Sequence, residues 1–138
     1  MNLRAEVEAT LDAFHAAAAA ADAEAYAATI SDEIVFLGTA PGERWEGAAW
    51  RSFFRSYFAQ GKGWTYVPSE RSVVVSADGT TAWFDETVEN QHYGACRGTG
   101  VARREGGVWR IEQYNLTIPV PDALAPDLVG RIRELAST

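Results

Sequence analysis

Apolar positions in the first part of the chain repeat with the period of an α-helix. Between residues 3 and 21 they recur every three or four positions, at Leu3, Val7, Leu11, Phe14 and Ala18, and the intervening alanines have the highest helix propensity. Asp22 ends this run and is a favourable N-cap for a second, short helix over residues 23–30. Helical spacing returns over residues 48–59, which predicts a third helix with a broad apolar face.

Most of the remaining segments have the composition of β-strands. Residues 33–39 form a β-branched and aromatic run, and a short extended piece covers residues 44–46. After Gly63, strand-like segments cover residues 64–77, 80–93, 95–104 and 108–118, separated by the turn signals Asp78-Gly79, Tyr93-Gly94 and Gly106-Gly107. These segments predict an antiparallel meander. A short amphipathic helix is expected after Pro121, with an apolar side made of Leu128, Val129, Ile132 and Leu135.

This order of elements predicts an α+β fold in which helices cover one face of a sheet. The chain has 138 residues, which is the usual size of one domain, and no linker or repeat divides residues 1–138. The twelve Lys and Arg residues against nineteen Asp and Glu residues leave a net charge of −7. Because phosphate contacts supply most nucleic-acid affinity, this balance argues against a nucleic-acid partner.

The remaining composition favours a soluble protein, and we expect a cytoplasmic location without membrane association. Cys96 is the single cysteine, which excludes an internal disulfide. The longest apolar run is too short to span a bilayer, and the N-terminus lacks the apolar segment of a signal peptide. The two histidines, His15 and His92, lie far apart in the sequence, so we expect no metal site. His15 is expected on the helix surface or in helix packing, and Cys96 as a packed thiol.

Several motifs resemble one known group of proteins. They are the Ala21-Asp22 break, the segment from Gly38 to Gly47, and the runs Ala82-Trp83-Phe84-Asp85-Glu86, Gly106-Gly107-Val108-Trp109-Arg110-Ile111 and Tyr114-Asn115-Leu116-Thr117-Ile118-Pro119-Val120-Pro121. Together they resemble the SnoaL-like branch of the nuclear transport factor 2-like, or cystatin-like, superfamily. The resemblance implies a curved antiparallel sheet that forms a cone around the first helix, an apolar pocket inside it, and a homodimer formed through the outer sheet face.

Strand alternation predicts which side chains line this pocket. With two-residue turns at Tyr93-Gly94 and at Gly106-Gly107, Val101 would lie between Glu86 and Glu112. The resemblance supports one of the two sheet faces as the pocket face. This face carries Phe84, Glu86, Val88, Asn90, Arg97, Thr99, Val101, Glu112, Tyr114 and Leu116. The opposite face, with Trp83 and Trp109, would then form the dimer interface, although an arrangement with Trp109 and Ile111 pointing inward competes with this one. The glycines Gly98 and Gly100 are expected to mark sheet curvature or a bulge.

The candidate chemistry follows from this face. Glu86 and Glu112 could act as acid and base if burial separates their pKa values, with Tyr114 as a third catalytic group. The competing structural interpretation is that these carboxylates only form ion pairs with Arg97 or Arg110. Further ligand-binding residues are expected at the cone mouth and along its wall, namely Phe14, Tyr26, Trp45 and Phe54.

The sequence leaves two functions open. One is a pocket for a small, largely apolar or aromatic molecule, with cofactor-independent acid–base catalysis of the isomerase, cyclase or hydrolase type. Ketosteroid isomerase chemistry is disfavoured, because the three positions where the resemblance implies catalytic groups hold other residues. These are Phe14 at the first position, Gly38 or Thr39 at the second, and Thr99 at the third. The alternative is a non-catalytic module for ligand binding or dimeric assembly. The fold alone does not choose, because related proteins carry many functions.

Overall fold

Four helices and six strands make up the computed structural model, which describes residues 2–138. The helices are α1 (Leu3–Ala19), α2 (Ala23–Ala28), α3 (Gly47–Ala59) and α4 (Ala125–Ala136), and the strands are β1 (Ile30–Leu37), β2 (Arg44–Glu46), β3 (Val67–Val75), β4 (Thr81–Asn90), β5 (Gly94–Glu105) and β6 (Val108–Thr117). The α+β architecture predicted from the hydrophobic pattern is therefore confirmed, with element ends that differ by a few residues.

The break between the first two helices has a clear local cause. Ala21 adopts a positive φ of 54°, which reverses the chain direction. The side chain of Asp22 then accepts a hydrogen bond from the Ala25 N–H at 3.1 Å. This bond satisfies one of the free backbone donors at the start of α2, as expected of an N-cap. Asn2 caps α1 in the same way, through the Ala5 N–H.

The six strands form one open sheet in the order β2-β1-β6-β5-β4-β3. Strands β3 to β6 form the predicted antiparallel meander. The sheet as a whole is mixed, because β1 pairs in parallel with β6, with Phe36 opposite Tyr114. Helix α2 precedes these two strands in sequence, and α3 lies between them. The parallel pair is therefore a long-range contact that local patterns do not specify.

The β4–β5 turn differs from the prediction, and this changes which side chains of β5 face the helices. The turn is a three-residue loop, 91–93, closed by the pair Asn90 and Gly94. The Asn90 side chain stabilises this loop, because its Oδ1 atom accepts hydrogen bonds from the His92 and Tyr93 N–H groups, each at 2.9 Å. Glu86 therefore lies opposite Gly98 instead of Val101. The shift of three residues is odd, so it reverses the face of every β5 side chain.

The corrected register places three predicted pocket residues on the outer face, which is the sheet face turned away from the helices. They are Arg97, Thr99 and Val101, while the inner face of β5 carries Cys96, Gly98, Gly100 and Ala102. The prediction that Arg97, Thr99 and Val101 line the pocket face is wrong for this reason. Asn90 is also outside the pocket, since its side chain is used in the turn.

The last hairpin has the predicted two-residue turn, with Glu105 paired to Val108. A bulge then shifts the register between Ala102↔Ile111 and Val101↔Gln113. Trp109 and Ile111 are buried before the bulge, and Tyr114 and Leu116 are buried after it. The prediction that Trp109 and Ile111 point inward is thus correct before the bulge. The prediction that Tyr114 and Leu116 point inward is correct after it. Trp109 is only 4% exposed, so the prediction that it lies on the outer face is wrong.

The core lies between the inner face of the sheet and helices α1, α2 and α3. Its largest buried side chains are aromatic, and Cys96 is a buried free thiol. No residue of α4 is buried, so the predicted apolar side of this helix faces solvent. Within residues 2–138, no helix is long and apolar enough to cross a membrane.

Candidate functional site

A carboxylate is buried in the centre of the protein. Glu86 on β4 is only 1% exposed. Its Oε1 atom accepts a hydrogen bond from Nε of Arg71 at 2.7 Å. Its Oε2 atom accepts one from the Tyr114 hydroxyl at 2.7 Å and lies 2.5 Å from Nε2 of His15. Both oxygens are therefore occupied, as a buried charge requires.

Three different parts of the fold supply these partners. Arg71 lies directly opposite Glu86 in the β3–β4 pair, and His15 comes from the inward side of α1. Arg71 also bonds the Asp12 carboxylate at 2.9 Å and the Glu8 carbonyl oxygen at 3.3 Å, both on α1. The ion pairs thus attach the first helix to the third and fourth strands.

Tyr114 reaches Glu86 by crossing the strand between them. Gly98 on β5 lies beneath its ring, and a Cβ atom there would be 1.9 Å from the Tyr114 hydroxyl oxygen. Gly100 has a related role, since a Cβ atom there would be 2.0 Å from the Gln113 carbonyl oxygen at the bulge. These glycines were expected to mark sheet curvature or a bulge, and the β6 bulge lies opposite Val101 and Ala102, next to Gly100.

The electrostatics of this cluster follow from burial and hydrogen bonding. Burial raises the pKa of Glu86, but the hydrogen bonds and charges of His15, Tyr114 and Arg71 outweigh it, so the net pKa is lowered. Burial, and then the charge of Glu86, raise the pKa of Tyr114 well above its ordinary value. The cluster therefore holds an ionised carboxylate and a neutral phenol at neutral pH.

Sequence reasoning identified Glu86 and Tyr114 but missed two of their partners. The ion pair of Glu86 is formed with Arg71 and His15, while the sequence pointed to Arg97 or Arg110. A signal for His15 was present, since it follows Leu11 by four positions on the apolar stripe of α1. Its expected role in helix packing is correct only in part, because its ring also pairs with a carboxylate.

Glu112 lies apart from this cluster. It is the extra residue at the β6 bulge, and it accepts a hydrogen bond from Ser31 at 3.1 Å. Arg103 lies 3.9 Å away. Glu112 lines a polar surface cleft of about 550 Å³ formed by the chain around Ile30 and the β5–β6 hairpin. Glu86 and Tyr114 do not line this cleft.

An aromatic pocket of about 250 Å³ opens at the other end of the sheet. Its walls come from the end of β1, the β1–β2 loop, α3, the segment before β3, the β4–β5 turn and the end of β6. The lining residues are Phe36, Gly38, Thr39, Glu43, Trp45, Trp50, Phe53, Tyr57, Trp64, Tyr66, Tyr93 and Leu116. Among the predicted ligand-binding residues, Trp45 and Leu116 are in this set.

The other predicted ligand-binding residues are packed in the core beneath the pocket. Phe14, Tyr26, Phe54, Phe84 and Val88 are each at most 4% exposed. The Tyr26 ring lies 4.9 Å from that of Phe14 and 4.7 Å from that of Phe54, centre to centre. These side chains fill the interior of the fold, where the family resemblance implied an apolar pocket.

Phe36 separates the aromatic pocket from the buried carboxylate cluster. Its ring stacks on Trp50 at 4.2 Å on the pocket side. On the other side it stacks on Tyr114, with the ring centres 6.0 Å apart. The polar cluster and the pocket are therefore neighbours without a shared cavity. Within residues 2–138, no three His, Cys, Asp or Glu side chains are grouped so that they could hold a metal ion.

The mixed open sheet, with helices on its inner face and an aromatic pocket at one end, defines an α+β domain with the cystatin-like fold. The family profile described as "SnoaL-like domain" matches residues 7–121. The chain belongs to this family, within the nuclear transport factor 2-like superfamily. The family resemblance in the sequence is thereby confirmed.

Solved structures agree on the fold. A nuclear transport factor 2-like protein of unknown function from Pseudomonas putida KT2440 is 18% identical, with a TM-score of 0.66 over 86% of this chain and 88% of that one. A protein from Novosphingobium aromaticivorans, provisionally named an aromatic ring hydroxylase, is 21% identical, with a TM-score of 0.69 over 86% and 90%. A provisionally named dehydratase from Streptomyces avermitilis is 15% identical, with a TM-score of 0.70 over 86% and 96%. A search of curated protein sequences finds no significant match.

Replacing Glu86 by Gln should destabilise the protein by about 3 kcal/mol, because it leaves the Arg71 charge without its buried partner. The Glu86 pKa is lowered in the folded state. Its contribution to the free energy of unfolding is therefore complete above the ordinary glutamate pKa of about 4.3 and is lost as pH falls through the lowered native value. Urea denaturation across this acid range should show a steeper loss of stability in the wild type than in E86Q. The exposed Glu70 provides a control, since E70Q should keep the wild-type slope, and an E86Q slope equal to the wild type would contradict the assignment.

Replacing Gly98 by Ala should cost about 1–3 kcal/mol of unfolding free energy, because the new methyl group occupies the position of the Tyr114 hydroxyl. Gly130 on α4 is the matched control, since a Cβ atom there meets no atom within 4 Å. G130A should be neutral or slightly stabilising, because alanine is the better helix former. Thermal denaturation measures both variants, and a G98A protein as stable as the wild type would show that the crossing of Tyr114 over Gly98 is not required.

Proposed function

We propose that this protein binds a small, largely apolar, aromatic molecule in the pocket at the open end of its sheet. The observation that carries the proposal is the concentration of aromatic rings around this one opening. The main walls of the pocket are formed by Trp45, Trp50, Phe53, Tyr57 and Trp64. A concave, mostly apolar surface with a few polar groups is the usual form of a small-molecule site.

The exposure of these rings supports a binding role. Phe53 is 38% exposed and Tyr93 is 44% exposed, although both are large apolar side chains that folding usually buries. Trp45 packs on Phe53 with ring centres 4.8 Å apart. Rings held in this way are preorganised for a flat ligand, so that little side-chain entropy is lost on binding.

The arrangement of the acidic groups supports binding in preference to catalysis. Glu86 is buried with both oxygens hydrogen-bonded and does not line the aromatic pocket, and Glu112 lines a different cleft. A general acid or base must come within hydrogen-bond reach of the substrate. The catalytic assignment of Glu86, Glu112 and Tyr114 therefore stays a prediction from the sequence, as do the cytoplasmic location and the lack of a cofactor.

Benzyl alcohol is a suitable neutral probe, and the indole N–H signals of tryptophan provide a built-in readout. Three of the five tryptophans line the pocket. In two-dimensional NMR, saturable shifts are expected for Trp45, Trp50 and Trp64, with Trp83 and Trp109 unchanged. Phe53→Ala should weaken binding about five- to tenfold through loss of a ring contact. Leu135→Ala is the control, since Leu135 is 75% exposed on α4 and should not affect binding. Uniform shifts of all five signals, or no saturation, would refute the proposal.

We further propose that two copies associate through the outer sheet face, as the family resemblance implies. Support comes from Trp83 and Val74, which are 49% and 46% exposed on neighbouring strands and lie opposite each other. An exposed tryptophan is a frequent anchor at protein interfaces.

Sedimentation of the wild type should therefore give a dimer. Trp83→Asp should give a monomer, because it places a charge at the centre of the apolar contact, whereas Trp83→Phe should remain dimeric. A monomeric wild type, or a W83D protein that still dimerises, would rule out this interface.

A further inference from the structure

The aromatic pocket contains a single charged side chain. Among its lining residues within 2–138, only Glu43 carries a charge, and there is no Lys or Arg. If the pocket binds a ligand as proposed, these lining residues determine the chemical class of that ligand.

The Glu43 carboxylate is held against the pocket wall by the backbone of the β1–β2 loop. Its Oε1 atom accepts a hydrogen bond from the Ala40 N–H at 3.1 Å, and the Gly38 N–H donates to the Glu43 carbonyl oxygen at 2.8 Å. The carboxylate lies over Gly38, where a Cβ atom would be 2.3 Å from Oε2. A side chain on residue 38 would displace it, so the glycine makes this position possible.

Glu43 has no ion-pair partner in the part of the chain that the structure describes, since no Lys, Arg or His nitrogen there pairs with it. Arg44, the next residue in the chain, pairs with Glu46 instead. The charge of Glu43 reaches the phenol of Tyr66, another pocket residue. There burial raises the pKa to about 12, and the electrostatic effects of Cys96, Tyr93 and, last, Glu43 add to it.

The aromatic walls have the same electrostatic preference as the carboxylate. The face of an aromatic ring carries partial negative charge and attracts a cation, most strongly in tryptophan. Trp45, Trp50 and Trp64 are three such rings around one opening. The net charge of −7 adds a favourable long-range field for a positively charged ligand.

We propose that the ligand of this pocket is a small organic cation, with an apolar or aromatic body and an ammonium group. The ammonium group is paired with Glu43, and the body of the ligand contacts the tryptophan rings. At about 250 Å³, the pocket is slightly below the common lower limit of about 300 Å³ for ligand sites, which suits a compact molecule. An anionic ligand would meet only negative charge here.

Three benzyl compounds of similar size test this inference. Benzylamine is protonated at neutral pH, benzyl alcohol is neutral and benzoate is an anion. Titration of the purified protein, followed by the indole N–H signals of the pocket tryptophans, gives an affinity for each. We expect benzylamine to bind about five- to tenfold more tightly than benzyl alcohol, and benzoate to bind most weakly. Added salt should weaken benzylamine binding and leave benzyl alcohol binding nearly constant.

The variant Glu43→Gln identifies the source of the preference. Glutamine keeps the oxygen that accepts the Ala40 N–H, so the loop contact can be retained while the charge is removed. The affinity ratio of benzylamine to benzyl alcohol should fall close to that expected from the rings alone, about two. Glu105→Gln removes the same charge from the β5–β6 hairpin at the opposite end of the sheet and should keep the wild-type ratio.

The possible failures are distinguishable. If neither benzyl alcohol nor benzylamine shifts the pocket tryptophans, the proposed ligand-binding function and this inference are both overturned. If both bind with equal affinity, or if E43Q keeps the wild-type ratio, the pocket still binds aromatic molecules but the preference for cations is refuted. If E105Q lowers the ratio as much as E43Q, the effect is one of net charge, and the assignment to Glu43 is refuted.

Discussion

The buried charge of Glu86 is the constraint on which much of this structure depends. A carboxylate removed from water is tolerated only when its charge and both of its oxygens are compensated. Compensation here comes from α1, β3 and β6 together, through His15, Arg71 and Tyr114. The cluster therefore fixes how the first helix lies on the sheet, and Gly98 is needed because only a residue without a side chain lets Tyr114 reach across β5.

The same constraint separates the buried polar groups from the pocket. Because Glu86 already has all its hydrogen bonds, its environment can be closed by apolar rings, and Phe36, Phe84 and Phe14 surround Tyr114. The aromatic pocket, where we propose that a ligand binds, is at the end of the sheet to which α3 and the loops contribute aromatic side chains. Stability and the proposed binding thus depend on different groups, which meet at the ring of Phe36.

The register of one hairpin explains where the sequence-based site failed. Asn90 and Gly94 close a three-residue loop, whereas the Tyr93-Gly94 signal predicted a two-residue turn. A difference of this kind is too small for local patterns to resolve, because a glycine at position 94 with a positive φ suits either turn. It nevertheless moves Arg97, Thr99 and Val101 to the outer face. The bulge at Glu112 has a similar effect on β6, since it reverses the face between Ile111 and Tyr114.

The amino-acid sequence by itself determined the α+β class, the helices and strands and the antiparallel meander, since these depend on local periodicity, caps and turn residues such as Asp22 and Gly106-Gly107. The family was indicated separately, by the resemblance of the sequence motifs to a known group. The sequence also placed Glu86 and Tyr114 on the same, inner face of the sheet. Only the tertiary structure decided the parallel pairing of β1 with β6, the partnership of Glu86 with His15 and Arg71, and the collection of distant aromatic residues around Glu43. These are contacts between residues far apart in the chain, and their geometry follows from strand register and packing instead of from any local pattern.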